Sequence, residues 1–157
     1  MRLTLGTTLF GLLLAVPTVA AQKIDPFIGK WVLNVAKSSY TGVPAPKSST
    51  AVYTAAGTGL HVLATGTNAA GVDTRVEYTA QFDGKDYPVT GSPDYDTVSL
   101  TRVSTSKLTF IRKRAGAPAQ LGSMTLSRDA NTRTVITDGT NAAGIKLHSV
   151  AVYERKP

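Results

Sequence analysis

The 157-residue sequence contains no cysteine. Without thiols there is neither a disulfide framework nor a lipid-bearing N-terminal cysteine, so stability must come from a buried core, which a chain of this length can build. Histidine is almost as scarce: His61 and His148 are the whole supply. A metal centre gathers three or four convergent ligands, and two histidines on separate segments argue against one, as they do against a histidine-ligated haem. No cofactor is expected. The acidic pairs Asp83 with Asp86 and Asp94 with Asp96 lack the spacing that surrounds calcium with oxygens, and read as turn formers. No serine sits in G-x-S-x-G, and Asp73 and Glu77 alternate with an apolar face instead of converging as an acid pair. An enzyme is not expected.

The hexapeptide GTNAAG occurs twice, beginning at Gly66 and at Gly139. Two glycines five apart suggest a phosphate loop, but that motif needs Lys and then Ser or Thr after the second glycine. Val72 and Asp73 follow the first copy, Ile145 and Lys146 the second, so neither completes it.

The chain opens MRLTLGTTLFGLLLAVPTVAAQ, with Arg2 before an apolar run that ends in small residues. This is the layout of a secretory signal peptide, residues 1–21, leaving 22–157 as one domain that is exported to the periplasm or the extracellular space. A retained membrane span is disfavoured because the run is short and is broken by Gly11 and Pro17. Removing Arg2 with this segment lowers the formal charge from +7 to +6. The remaining Lys and Arg are scattered, without the basic stripe and stacking aromatics of a nucleic-acid binder. A monomer that binds no nucleic acid is expected.

From Trp31 onward, short runs rich in Val, Thr, Ile, Leu and Tyr are each closed by Gly, Pro, Asp or Asn. In VDTRVEYTAQF, Val72, Val76, Tyr78, Ala80 and Phe82 alternate with polar neighbours, the period of a half-buried strand. This reading predicts ten strands, near 29–35, 50–56, 59–66, 72–82, 86–90, 96–104, 107–114, 119–128, 133–138 and 144–155. A short helical turn is allowed near 36–39. Such a sheet leaves two edges exposed unless it closes on itself, so the predicted fold is all-β, a single antiparallel up-and-down barrel of about 8 to 10 strands. A sandwich is the second reading.

The stretch DPFIGKWVLN carries Phe27, Gly29 and Trp31 as F-x-G-x-W at the first strand, and the chain closes with VAVYERKP. This resembles the calycin barrels, the lipocalins and fatty-acid-binding proteins, whose last strand returns to pair with the first. It is most similar to small exported bacterial proteins with a lipocalin-like domain, in which GKWVLNVAKSSY, APKSST, FDGKDYPVTGSPDYDTVSLTR and VAVYERK recur in this order. The resemblance implies that Trp31 plugs the closed end and that Arg155 packs on its ring. Two features depart from the fatty-acid-binding proteins. Their R-x-Y carboxylate clamp reads Ala151 and Tyr153 here, and AKSSYTGVPAPKSS is too short and too proline-rich for their pair of lid helices.

The expected activity is non-covalent binding of a small apolar or amphipathic ligand in the barrel. By alternation the inward candidates are Tyr78 and Phe82, Arg102, Phe110 and Arg112, and Tyr153. If Phe110 points inward, Arg112 follows it and would need an anionic partner; otherwise it snorkels to the rim from the basic run IRKRAG. The alternative is an envelope interaction or inhibitor module whose barrel is filled by its own side chains.

Overall fold

The computed structural model describes residues 24–157, so the segment read as a signal peptide lies outside the described residues. Eleven strands follow: β1 (Gly29–Leu33), β2 (Ser39–Thr41), β3 (Ser48–Ala56), β4 (Gly59–Thr67), β5 (Asp73–Ala80), β6 (Tyr87–Thr90), β7 (Thr97–Ser104), β8 (Lys107–Arg114), β9 (Ala117–Leu126), β10 (Thr132–Thr140) and β11 (Lys146–Lys156). Apart from β2, each pairs antiparallel with its neighbour in sequence, and β11 then pairs with β1, Trp31 opposite Arg155 and Leu33 opposite Tyr153. The result is a closed ten-stranded up-and-down barrel with the last strand on the first, the fold class the sequence predicts. No helix among the described residues is long and apolar enough to cross a membrane.

β1 ends at Leu33, two residues earlier than the alternation suggests. Asn34 Oδ1 accepts a hydrogen bond from Lys37 N at 3.1 Å and caps a single 3-10 turn, Val35–Lys37. The chain then re-enters the sheet as β2, where Ser39, Tyr40 and Thr41 pair with Val150, Ser149 and His148 of β11. Three residues are too few for a periodic signal, so alternation does not reveal β2. The short β6 is present and meets each neighbour through only two register pairs.

One end of the barrel is filled. Phe27, Trp31, Leu60, Leu100 and Leu108 are fully buried there, each such burial being worth about 1.5–3 kcal/mol. Trp31 Nε1 donates to Phe27 O at 2.9 Å, and the Arg155 guanidinium lies 4.3 Å over the indole ring. Arg155 also donates to three carbonyls, those of Ala130 (2.9 Å), Ile28 (2.6 Å) and Pro26 (2.6 Å). It thereby fastens the N-terminal turn across the barrel floor. Gly29 has φ +138°, and a Cβ there would sit 2.5 Å from Arg155 Nη1, so the glycine of F-x-G-x-W makes room for the clamp.

The two GTNAAG copies form the same loop. Asn68 N donates to Val72 O, Gly71 N to Asn68 O and Val72 N to Asn68 Oδ1; Asn141, Gly144 and Ile145 repeat all three bonds. Gly71 and Gly144 supply the left-handed residue that closes the turn, at φ +86° and +77°. With β6 in place, both loops leave the barrel at the end opposite Trp31. The first flanks Pro44 and Pro46, and the second touches the β6–β7 loop, Ala142 N donating to Asp94 Oδ1 at 2.7 Å.

Candidate functional site

Above the filled floor lies an internal cavity of about 160 Å³. Strand alternation builds its wall: Ala51 and Tyr53 from β3, Val62 and Ala64 from β4, Val76 and Tyr78 from β5, Arg112 from β8, Met124 from β9, Arg133 and Val135 from β10, and Tyr153 from β11. Tyr95, from the 91–96 loop, closes over Arg112 with 4.7 Å between guanidinium and ring centre. Asp94 and Asp96 hold that loop down. The Asp94 carbonyl accepts from Arg114 Nη1 at 3.3 Å, and Asp96 Oδ2 accepts from Ala115 N at 2.7 Å.

The lining contains two arginines and no carboxylate. Arg112 stacks 4.4 Å over Phe110 and donates from Nη1 to Gln120 Oε1 at 3.0 Å, while its buried Nε has no acceptor. Arg133 is 1% exposed, with its guanidinium 4.4 Å from the Tyr53 ring and 4.5 Å from Tyr153. Its Nε and Nη1 are buried without any acceptor. An arginine keeps its charge at physiological pH, so the cavity is cationic.

The phenols complete the lining. Tyr53 Oη donates to Met124 Sδ at 3.5 Å, and Tyr153 Oη meets Ser49 Oγ at 3.4 Å, both weak contacts that leave hydroxyl capacity free. Burial, then the neighbouring Tyr53, drives the Tyr78 phenol well above its ordinary range. Burial, then Tyr153, pushes Tyr40 of β2 up to about 12. A phenol whose folded pKa exceeds its unfolded value of 10.0 stabilises the fold fully below that pH, and the contribution is lost as pH rises through the folded value. Resistance to urea is therefore expected to fall between pH 10 and about 12. A urea midpoint unchanged across that window would remove these phenols as the determinants.

Of the residues singled out in the sequence, Tyr78, Arg112 and Tyr153 meet at this cavity, and Phe110 lies directly under Arg112. Arg102 and Phe82 do not join them. Arg102 stacks 4.0 Å over Phe82 and forms an ion pair with Asp25 at the Trp31 end, so its charge is answered within the chain. A separate cleft of about 500 Å³ opens there, between the N-terminal turn and the β7–β8 and β9–β10 turns. Both histidines face outward, His61 towards Thr79 and Glu77, His148 towards Asp138. No group of three or more metal-ligating side chains occurs among the described residues.

Sequence reading missed Arg133, Tyr53 and Tyr95. A signal existed for Arg133. It pairs with Leu126 across the β9–β10 hairpin, and partners in an antiparallel pair share a face, so an inward Leu126 carries Arg133 inward. Tyr95 comes from a loop, where no period operates.

Fold and lining together define a closed antiparallel barrel with a cationic, tyrosine-rich interior. Among solved structures, the chain resembles the zebrafish ileal bile acid-binding protein complexed with cholic acid. The TM-score is 0.48 at 12% identity, over 83% of this chain and 99% of that one. No family model matches the chain, and no curated protein does. Strand order and the pairing of β1 with β11 define the barrel.

Proposed function

We propose that this protein is an exported barrel that holds a small apolar or amphipathic molecule non-covalently in its interior. One observation supports it above the others: a cavity lined by aliphatic and tyrosine side chains also receives Arg112, a charged group whose Nε is left without an acceptor. Apolar walls with a few convergent polar groups are what small-molecule sites are made of. The N-terminal signal-like segment supports export.

The cavity's size favours a second reading. At about 160 Å³ it falls below the roughly 300–1,000 Å³ of drug-sized ligand sites. A barrel this nearly filled also suits an interaction module that works through its loops. Native mass spectrometry of protein purified from its own host, followed by organic extraction, separates the two. A ligand-binding barrel is expected to carry a stoichiometric small molecule. Absence of any such molecule, together with unchanged Trp31 fluorescence on adding apolar probes, would leave the interaction module as the surviving reading.

A further inference from the structure

Two arginines that stack on aromatic rings in this barrel, Arg155 half-buried and Arg133 fully buried, are treated in opposite ways. Arg155 directs its donors at three backbone carbonyls, which is how a structural guanidinium is satisfied. Arg133 is more deeply buried and hydrogen-bonds to nothing through Nε or Nη1. Its faces are occupied, by Tyr53 at 4.4 Å and Tyr153 at 4.5 Å, so an acceptor must approach its edge, in the guanidinium plane. Arg112, across the same cavity, has one aromatic ring at 4.4 Å and another at 4.7 Å and keeps its own Nε unpaired. Neither arginine has a carboxylate partner among the described residues. Two like charges desolvated in one cavity are unfavourable until an anion joins them.

The cavity also limits what that anion is attached to. Its volume of about 160 Å³ is close to the roughly 150 Å³ of an engineered apolar cavity that admits benzene. Ala64, Val76 and Val135 give an apolar wall for the body of the molecule. A long alkyl chain exceeds that volume.

We infer that the interior site takes a compact organic carboxylate, about one ring in bulk, whose oxygens accept from Arg112 and Arg133 while the aliphatic wall covers its body. This rests on the reading of the interior as a ligand site, and it narrows that reading to one chemical class. Arg133 sets the charge selectivity.

The test is calorimetric titration of the purified protein with benzoate, its neutral analogue benzamide, inorganic phosphate and laurate. Benzoate is expected to bind at least about tenfold more tightly than the other three, since charge-assisted bidentate bonds are roughly twice as strong as neutral ones. Arg133→Met and Arg112→Met should each weaken benzoate by about tenfold or more. Arg133→Lys, which keeps the charge and loses the planar fork, should weaken it as well. Arg128→Met, in the exposed β9–β10 turn, should leave it unchanged. Circular dichroism on each variant confirms the fold. Benzamide binding as tightly as benzoate overturns the carboxylate assignment, and laurate binding where benzoate does not overturns the limit on size; each leaves an interior ligand site standing. Phosphate binding as tightly as benzoate overturns the organic part. No binding by any of the four overturns the compact-carboxylate inference, while the interior ligand site stands or falls on native mass spectrometry.

Discussion

Replacing Trp31 with alanine is expected to remove about 3–5 kcal/mol of folding stability, the range for deleting a large buried aromatic side chain. The indole is fully buried, and its loss also leaves Phe27 O without the Nε1 donor and Arg155 without the ring it lies on. Domains of this kind are stable by about 5–15 kcal/mol in total, so the variant should unfold at far lower urea and sit near its midpoint if the parent is at the low end. Trp31→Phe keeps an aromatic face under Arg155 and drops the N–H, and should lose a smaller amount. The measurement is urea denaturation followed by circular dichroism, because Trp31 is the only tryptophan. A loss under about 1 kcal/mol, the size of a surface change, would show that the floor reorganises around Arg155 without the ring.

Replacing Arg133 with methionine should do the reverse and stabilise the unliganded barrel. Three cation–π contacts, to Tyr53, Tyr153 and Trp31, favour the arginine by about 0.5–2 kcal/mol each. Against them stands a desolvation penalty of several kcal/mol for a buried ion, with two guanidinium donors unsatisfied. Methionine fills similar space, and its sulfur recovers part of the aromatic contact. Exchanges of buried charge for well-packed apolar groups elsewhere stabilise by about 1–4 kcal/mol, and that is the gain expected here. Each kcal/mol should appear as a rise of about 4 °C in Tm for a chain of this size. A lower Tm would identify Arg133 as a structural strut. A higher Tm joined to lost benzoate affinity would identify it as a group kept at the expense of stability.

The architecture was legible because a barrel repeats one local rule. The alternation of Val76, Tyr78 and Ala80 against Arg75, Glu77 and Thr79, closed by turn residues at Asp83, recurs along the chain with little variation. What escaped lies where that rule gives no answer. Asn34 breaks the first strand through a side-chain bond to the backbone that composition does not announce. In TRTVITD both Val135 and Ile136 are apolar, so the face of Arg133 is ambiguous until its hairpin partner is considered. Arg102 and Arg112 follow the same alternation on neighbouring strands, but they sit at opposite ends of the barrel. Their strands run antiparallel, Arg102 opposite Leu108 and Arg112 opposite Val98, and a period of two, which gives only the face, carries no information about depth along the axis.

The clamp on the barrel floor also imposes an order in time. Arg155 reaches Ile28 across 127 positions of sequence. At 5–20 residues per second, roughly 6 to 25 seconds separate the synthesis of those two residues. Throughout that interval β1 lacks its β11 partner, and a sheet edge stays open to any passing strand. A nascent chain of this protein is thus kept from closing its barrel until Arg155 has been made. Late closure, after every other strand is available to pair, is what joining the first strand to the last enforces.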